Sequence, residues 1–266
     1  MIYSKPQLLK KYIRYYLKAG NSKGHGIHSP FVFDFIIHVL QDKKKYPVYR
    51  QLEKLRKELL RNRNLIKVED LGAGTALKSS KERKISSIAG SALKRKKFAQ
   101  LLYRIVKFYK PLTILELGTS FGITTSYMAH GNTAATIYTL EGSKNIASIA
   151  KQTFFKSTVE HINLIIGNFD DTLPGILSKI DIVDLAFIDG NHRKEPTLNY
   201  FEKLLAKSGK DSIFIFDDIH WSFEMEEAWK HIQNHPAVTL SIDLFFIGLV
   251  FFSPSFKAKQ HFEIRF

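Results

Sequence analysis

The sequence predicts an α/β protein: a Rossmann-like, mostly parallel seven-stranded sheet with helices on both faces, a C-terminal antiparallel hairpin and an N-terminal helical cap. Three observations carry this. After Pro111, short apolar runs alternate with amphipathic stretches in the rhythm of βα units. The first run, Ile114-Leu-Glu-Leu, enters a turn with Gly118 and Gly122. Successive runs end at Glu116, Glu141, Asn168, Asp189 and Asp217, and open α/β sheets gather ligands at the carboxyl ends of their strands.

Taken in order, the first 110 residues read as helical. Leu8, Leu9, Tyr12, Ile13, Tyr16 and Leu17 recur at three-to-four spacing, as do Leu52, Leu55 and Leu59, and then Phe98, Leu101, Leu102 and Ile105. Between the first two sets, Gly24-His-Gly-Ile-His-Ser-Pro30 is a turn in which Ser29 is placed to cap a helix entered through Pro30. Residues 81–91 are ambiguous. Strands are expected at 112–117, 136–141, 162–166, 184–189 and 212–217, and helices at 122–130, 143–155, 172–179, 195–206 and 223–233. Runs 237–243 and 246–252 form the hairpin, and 261–266 alternates as a further edge strand. The division expected is a basic helical cap over 1–85 and an α/β domain over 86–266.

Composition bounds the chemistry. The chain has no cysteine, which removes disulfides, thiolate metal sites and cysteine nucleophiles. No signal-peptide core opens it, and its longest apolar run, Ala237 to Phe252, is too short to span a bilayer as a helix, so a cytoplasmic protein is expected. The net charge of +15 is uneven. Residues 1–110 hold 27 Lys/Arg against 7 Asp/Glu, and residues 111–266 hold 13 against 18. Lys43 to Lys45, Arg50 to Arg63 and Lys94 to Lys97 are either a solvated basic face or a surface for phosphates of nucleic acid, of an anionic substrate or of a membrane.

The turn and the acid 25 positions after Glu116 form a nucleoside-binding pattern. Gly118 and Gly122 let the backbone approach a ligand, and a helix N-terminus follows with unpaired N–H groups. Glu141 is placed to take both ribose hydroxyls. A second glycine turn, Val68-Glu-Asp-Leu-Gly-Ala-Gly74, lacks an apolar helix face and a following strand that ends in an acid, and is read as a loop or lid.

These residues resemble the class I S-adenosylmethionine (SAM) methyltransferases, and within them the catechol and caffeoyl-CoA O-methyltransferase-like group, from about Lys96 to Ser222. Glu116-Leu-Gly-Thr-Ser-Phe-Gly122 is similar to that group's first motif, Thr139-Leu-Glu141 to its ribose acid, and Ile166-Gly-Asn-Phe-Asp170 to its adenine turn. Ala186-Phe-Ile-Asp189-Gly-Asn-His192 and Phe214-Ile-Phe-Asp217-Asp218 resemble its metal-binding strand ends, 28 residues apart. The latter two motifs, and His25-Gly-Ile-His-Ser-Pro-Phe-Val-Phe33, are also similar to a bacterial branch whose substrates are largely unassigned.

The resemblance implies SAM bound by Glu116, Gly118, Thr119, Ser120, Gly122, Glu141, Gly142, Asn168, Phe169, Asp170 and Asp189. It also implies Mg²⁺ or Mn²⁺ on Asp189, Asp217 and Asp218, although the family pattern has an amide where Asp218 stands. Asp217 or Asp218 is otherwise a helix cap or a loop support. His192, where the catechol-type enzymes carry a basic lysine, is a general base, a metal ligand or a positioning residue, with Asp189 as its partner in catalysis. Glu116 supports the turn, contacts the ligand, or does both. His220 and Trp221 line the acceptor pocket, or the tryptophan packs under the cap. His25 and His28 reach over the cleft or hold their turn.

The activity expected is metal-assisted O-methylation of a small-molecule hydroxyl, with an anionic acceptor and a homo-oligomer both allowed. Two alternatives stand beside it: an RNA methyltransferase that uses the basic N-terminal region, and a non-catalytic SAM-binding protein.

Overall fold

The structure is a computed structural model and describes residues 2–20, 28–68 and 81–266. In chain order the elements are α1 (Lys5–Lys18), α2 (Pro30–Phe35), a π-helical turn (Ile36–Leu40), α3 (Pro47–Arg61), β1 (Leu65–Val68), β2 (Lys81–Lys84), α4 (Ile85–Ala92) and α5 (Lys96–Tyr109). There follow β3 (Thr113–Leu117), α6 (Ile123–Gly131), β4 (Thr136–Glu141), α7 (Lys144–Ser157), β5 (Ile162–Ile166), α8 (Phe169–Leu177), β6 (Leu185–Ile188) and α9 (Lys194–Leu205). The chain ends with β7 (Ile213–Asp217), α10 (Phe223–Asn234), β8 (Leu240–Asp243), β9 (Ile247–Phe251) and β10 (Gln260–Glu263). The fold is the expected α/β class, mostly parallel strands flanked by helices with a C-terminal antiparallel hairpin. Strand β10 is the further edge strand expected at 261–266, beginning one residue earlier.

Two compact units are present, Asp42–Lys179 and Met1–Gln41 with Ile180–Phe266. In the first, β3, β4 and β5 pair in parallel. Strand β3 is buried from Ile114 to Leu117, as its unbroken apolar run requires of a central parallel strand. Helices α3, α5 and α6 share a core of Leu52, Leu55, Ala99, Tyr103, Ile123 and Tyr127. At its edge the half-buried Glu53 carboxylate accepts hydrogen bonds from Tyr127 Oη and Arg56 Nε, both at 2.9 Å, so the buried Arg56 charge is paired. Strands β1 and β2 form an antiparallel pair with α4 directly after it. The second glycine turn, beyond Val68, and His25 lie outside the described residues.

In the other unit β6 and β7 are parallel, β9 is antiparallel to both β7 and β8, and β10 runs parallel to β8. The Trp229 ring on α10 lies against β9 at Gly248, where a Cβ would stand 2.6 Å from the indole. Trp229 Nε1 donates to Asp243 Oδ2 at 3.0 Å. Helix α1 packs Tyr15 and Ala19 on Phe245, with Leu8, Tyr12 and Phe246 around them. The Tyr15 hydroxyl bonds to the carbonyls of Asp243 (3.0 Å) and Ile264, and burial pushes its pKa up. The periodicity of α1 implied one apolar face, yet Leu9, Ile13, Tyr16 and Leu17 point away from this core. Pro30 opens α2 as expected with Ser29 at the cap position, but the serine side chain makes no capping bond.

Candidate active site

Strand β3 delivers Glu116 to the floor of the turn. Its carboxylate is fully buried, and Oε2 accepts from Thr125 Oγ1 (2.5 Å) and Thr139 Oγ1 (2.6 Å). Thr139 gives its single proton to Glu116, so the 2.6 Å contact between the Thr119 and Thr139 hydroxyls is a bond donated by Thr119. Above this relay the turn is held to β4: the N–H groups of Gly118 and Thr119 both donate to the Leu140 carbonyl at 3.1 Å. Gly118 (φ 108°), Ser120 (φ 50°) and Gly122 (φ 76°) all lie in the left-handed region, where glycine is favoured, and the chain then enters α6.

Glu141 ends β4. Its Oε2 accepts the Ser120 N–H and its Oε1 the Ser143 N–H, each at 2.9 Å. Burial raises its pKa, opposed by the main-chain N–H groups of Ser143, Ser120 and Gly142. A carboxylate has about four lone-pair sites, so these bonds leave it capacity to accept from a ligand. Beside it the buried hydroxyls of Ser120 and Ser143 have no hydrogen-bond partner among the described residues. Buried polar groups are nearly always paired, and two orphans next to a fixed carboxylate suit a polyhydroxylated ligand such as the SAM ribose.

The end of β5 is tied to β4 by the Gly167 N–H, which donates to the Glu141 carbonyl at 3.0 Å. Asn168 then caps α8, its Oδ1 accepting the Asp170 N–H at 3.1 Å. This cap starts the helix at Phe169, three residues earlier than the sequence pattern suggested. Phe169 is half-buried and Asp170 exposed.

In the other unit, Asp189 follows β6 and Asp217 ends β7, almost wholly buried. His192 Nε2 stands 3.6 Å from Asp189 Oδ1. One ligand atom from each of Asp189, His192 and Asp217 lies within 4.8 Å of the others, the group among the described residues suited to a metal ion. Two hard carboxylates and an imidazole fit a divalent ion. Asp218 is not in that group. It sits at φ 52°, a conformation Asp and Asn tolerate best after glycine, and its N–H donates to the Phe246 carbonyl at 2.7 Å.

His220 is built into a polar network. Its ring stacks on Phe245 with centroids 5.0 Å apart, and its nitrogens bond to Glu226 Oε1 (3.0 Å) and Asp243 Oδ2 (2.9 Å). Lys11 Nζ donates to both Glu226 oxygens, and Tyr3 Oη donates to Oε2 at 2.6 Å. Burial would lower the His220 pKa, but the hydrogen bonds to Asp243 and Glu226 prevail and raise it to about 9. For Glu226 burial acts upward, and the bonds from His220, Lys11 and Tyr3 hold it down at about 2. Trp221 is 39% exposed; the packed tryptophan is Trp229. His28 is exposed. Sequence reasoning missed the threonine relay, Ser143 and the His220 network. Thr139 inside an apolar strand was a visible signal, whereas Glu226 and Asp243 look like ordinary surface acids.

The family described as "Methyltransferase domain" matches residues 115–219. A comparison with curated proteins finds no match. Among solved structures, the chain is similar to the O-methyltransferase from Bacillus cereus in complex with SAH, at 18% identity over 81% of this chain and 95% of that one, with a TM-score of 0.57. The SAH-bound Podospora anserina methyltransferase PaMTH1 gives 13% identity over 95% and 98%, with a TM-score of 0.58. The O-methyltransferase TomG from Streptomyces achromogenes, involved in tomaymycin synthesis and in complex with SAM, gives 15% over 82% and 95%, with a TM-score of 0.55. Residues 115–219 match the methyltransferase domain model, and the chain shares its fold with these SAH- and SAM-bound methyltransferases.

Proposed function

We propose that this protein is a SAM-dependent O-methyltransferase that acts on a small-molecule hydroxyl with the help of a divalent ion. The observation that carries the SAM reading is Glu141: a half-buried carboxylate fixed by two main-chain N–H groups, with the partnerless hydroxyls of Ser120 and Ser143 beside it. Its remaining lone pairs suit a ribose diol, and Glu116 keeps the turn rigid through Thr125 and Thr139. Gly118 to Gly122 give the methionine portion a wall without side-chain bulk at its two glycines, while Gly142, Asn168, Phe169 and Asp170 border the base.

When bound, SAM supplies a sulfonium-activated methyl group and a divalent ion acidifies and orients the acceptor hydroxyl. Asp189 and Asp217 would hold that ion. His192 takes the hydroxyl proton at Nε2, and Asp189 Oδ1 at 3.6 Å stabilises the imidazolium so formed. With SAM and acceptor bound, His192 would hold the proton released as the methyl group passes to the acceptor oxygen, and the products would be SAH, the methyl ether and that proton.

The other readings, an RNA methyltransferase and a SAM-binding protein without turnover, gain no specific observation. Calorimetric titration of SAM into the wild type and Glu141→Ala tests the reading. A wild-type affinity in the micromolar range that collapses in the variant supports it; equal affinities reject it.

A further inference from the structure

Helix α1 carries two apolar faces, and among the described residues only one is packed inside the protein. Leu8, Tyr12, Tyr15 and Ala19 pack against Phe245 and Phe246. A helix turns by about 100° per residue, so residues four apart line up in rows. Leu9, Ile13 and Leu17 form such a row and are 59%, 51% and 74% exposed, with Tyr16 beside them at 48%. One residue further round, Lys10, Arg14 and Lys18 make a second row, all exposed. The Arg265 guanidinium lies 4.7 Å over the Tyr16 ring and adds charge on the other flank of the apolar row. Residues 1–20 contain five Lys/Arg and no Asp or Glu.

An apolar row of this kind on a folded protein marks a surface that something covers. The charge decides what. A second copy docked across a two-fold axis would set one basic row against the other with no acid to meet it. RNA would satisfy the lysines and leave the leucines in water. An anionic bilayer answers both rows: apolar side chains enter the headgroup boundary and basic ones meet lipid phosphates. No described helix is long and apolar enough to cross a membrane, and α1 has only 14 residues. We propose that α1 docks this protein on an anionic lipid surface, with Leu9, Ile13 and Leu17 entering the interface and Lys10, Arg14 and Lys18 binding lipid phosphates. The helix keeps its place in the fold, because Tyr15 remains bonded to Asp243 and Ile264.

Co-sedimentation of the full chain with vesicles of phosphatidylglycerol or of phosphatidylcholine tests this. Binding is expected on phosphatidylglycerol, weaker on phosphatidylcholine by about fivefold for each basic residue engaged, and declining as salt shortens the reach of the charges. The double variant Ile13→Glu, Leu17→Glu should lose at least about tenfold in vesicle binding, with an unchanged circular dichroism spectrum because both positions face solvent. Arg14→Glu with Lys18→Glu should abolish the preference for phosphatidylglycerol. Three results overturn the proposal: no binding to phosphatidylglycerol at low salt, equal binding by the Ile13/Leu17 variant, or a wild-type dimer that this variant converts to monomer. Retention on RNA that depends on Lys10 and Arg14 while vesicles are ignored would overturn it as well.

Discussion

The Ser120 main-chain N–H donates to Glu141 Oε2 at 2.9 Å, so the turn after β3 and the acid at the tip of β4 hold each other in place. A carboxylate fixed in this way needs no reorganisation when a ligand arrives. It also makes the site intolerant of an amide.

In Glu141→Gln, the amide nitrogen would face either the Ser120 or the Ser143 N–H, donor against donor. SAM affinity should fall about 10- to 100-fold, the size of one charge-assisted hydrogen bond. Isothermal titration measures it, and an unchanged dissociation constant removes Glu141 from the ribose site.

Asp217→Asn should abolish activation by divalent ions while SAM still binds, because Asp217 belongs to the Asp189–His192 cluster and lies in a different unit from Glu141. Methyl transfer is compared in chelator and in added Mn²⁺. If the wild type works equally well in chelator, the reaction needs no metal and His192 carries the proton transfer unaided.

The His220 network makes stability depend on pH in a definite direction. The His220 pKa is raised from 6.5 to about 9, so its contribution is fully present below 6.5 and drains away as pH rises through about 9. At about 1.4 kcal/mol per pKa unit, the upper limit is about 3 kcal/mol, shared with its partners. Glu226, held down at about 2, contributes above its ordinary 4.5 and loses that contribution as pH falls toward 2. Urea unfolding of wild type and His220→Gln from pH 6 to pH 10 should show a gap that narrows on the alkaline side. A constant gap would mean that the ring acts only by packing on Phe245.

At Gly122 (φ 76°) an added Cβ would stand 2.5 Å from Phe154 Cε1, and that ring is buried. Gly122→Ala should cost about 1 to 3 kcal/mol of stability, read from the urea midpoint, and should weaken SAM binding by displacing the turn. A midpoint within error of the wild type would show that the backbone relaxes at no cost.

Much of the α/β region was legible because its signals are local and repeated. Strands β4 and β5 fall on the residues their apolar runs mark, and Asp189 and Asp217 close β6 and β7 as their positions implied. What failed to show was set by partners far away in sequence. β2 reads Lys-Glu-Arg-Lys, with no alternation, and is a strand only through pairing with β1. Glu226 and Asp243 become a histidine clamp only once Lys11, Tyr3 and Trp229 arrive from other elements. The two faces of α1 share one periodicity, which cannot tell an apolar residue facing Phe245 from one facing outward.

Trp229 and Gly248 occupy one volume between them, the indole filling the space that any side chain at 248 would claim. They should be inherited together. A descendant of this sequence that gains even a methyl group at 248 must shrink position 229, and with the indole goes the donor to Asp243 and one strut of the histidine clamp. Neither step is tolerable alone, so this corner of the fold is expected to change through paired replacements or to stay as it is.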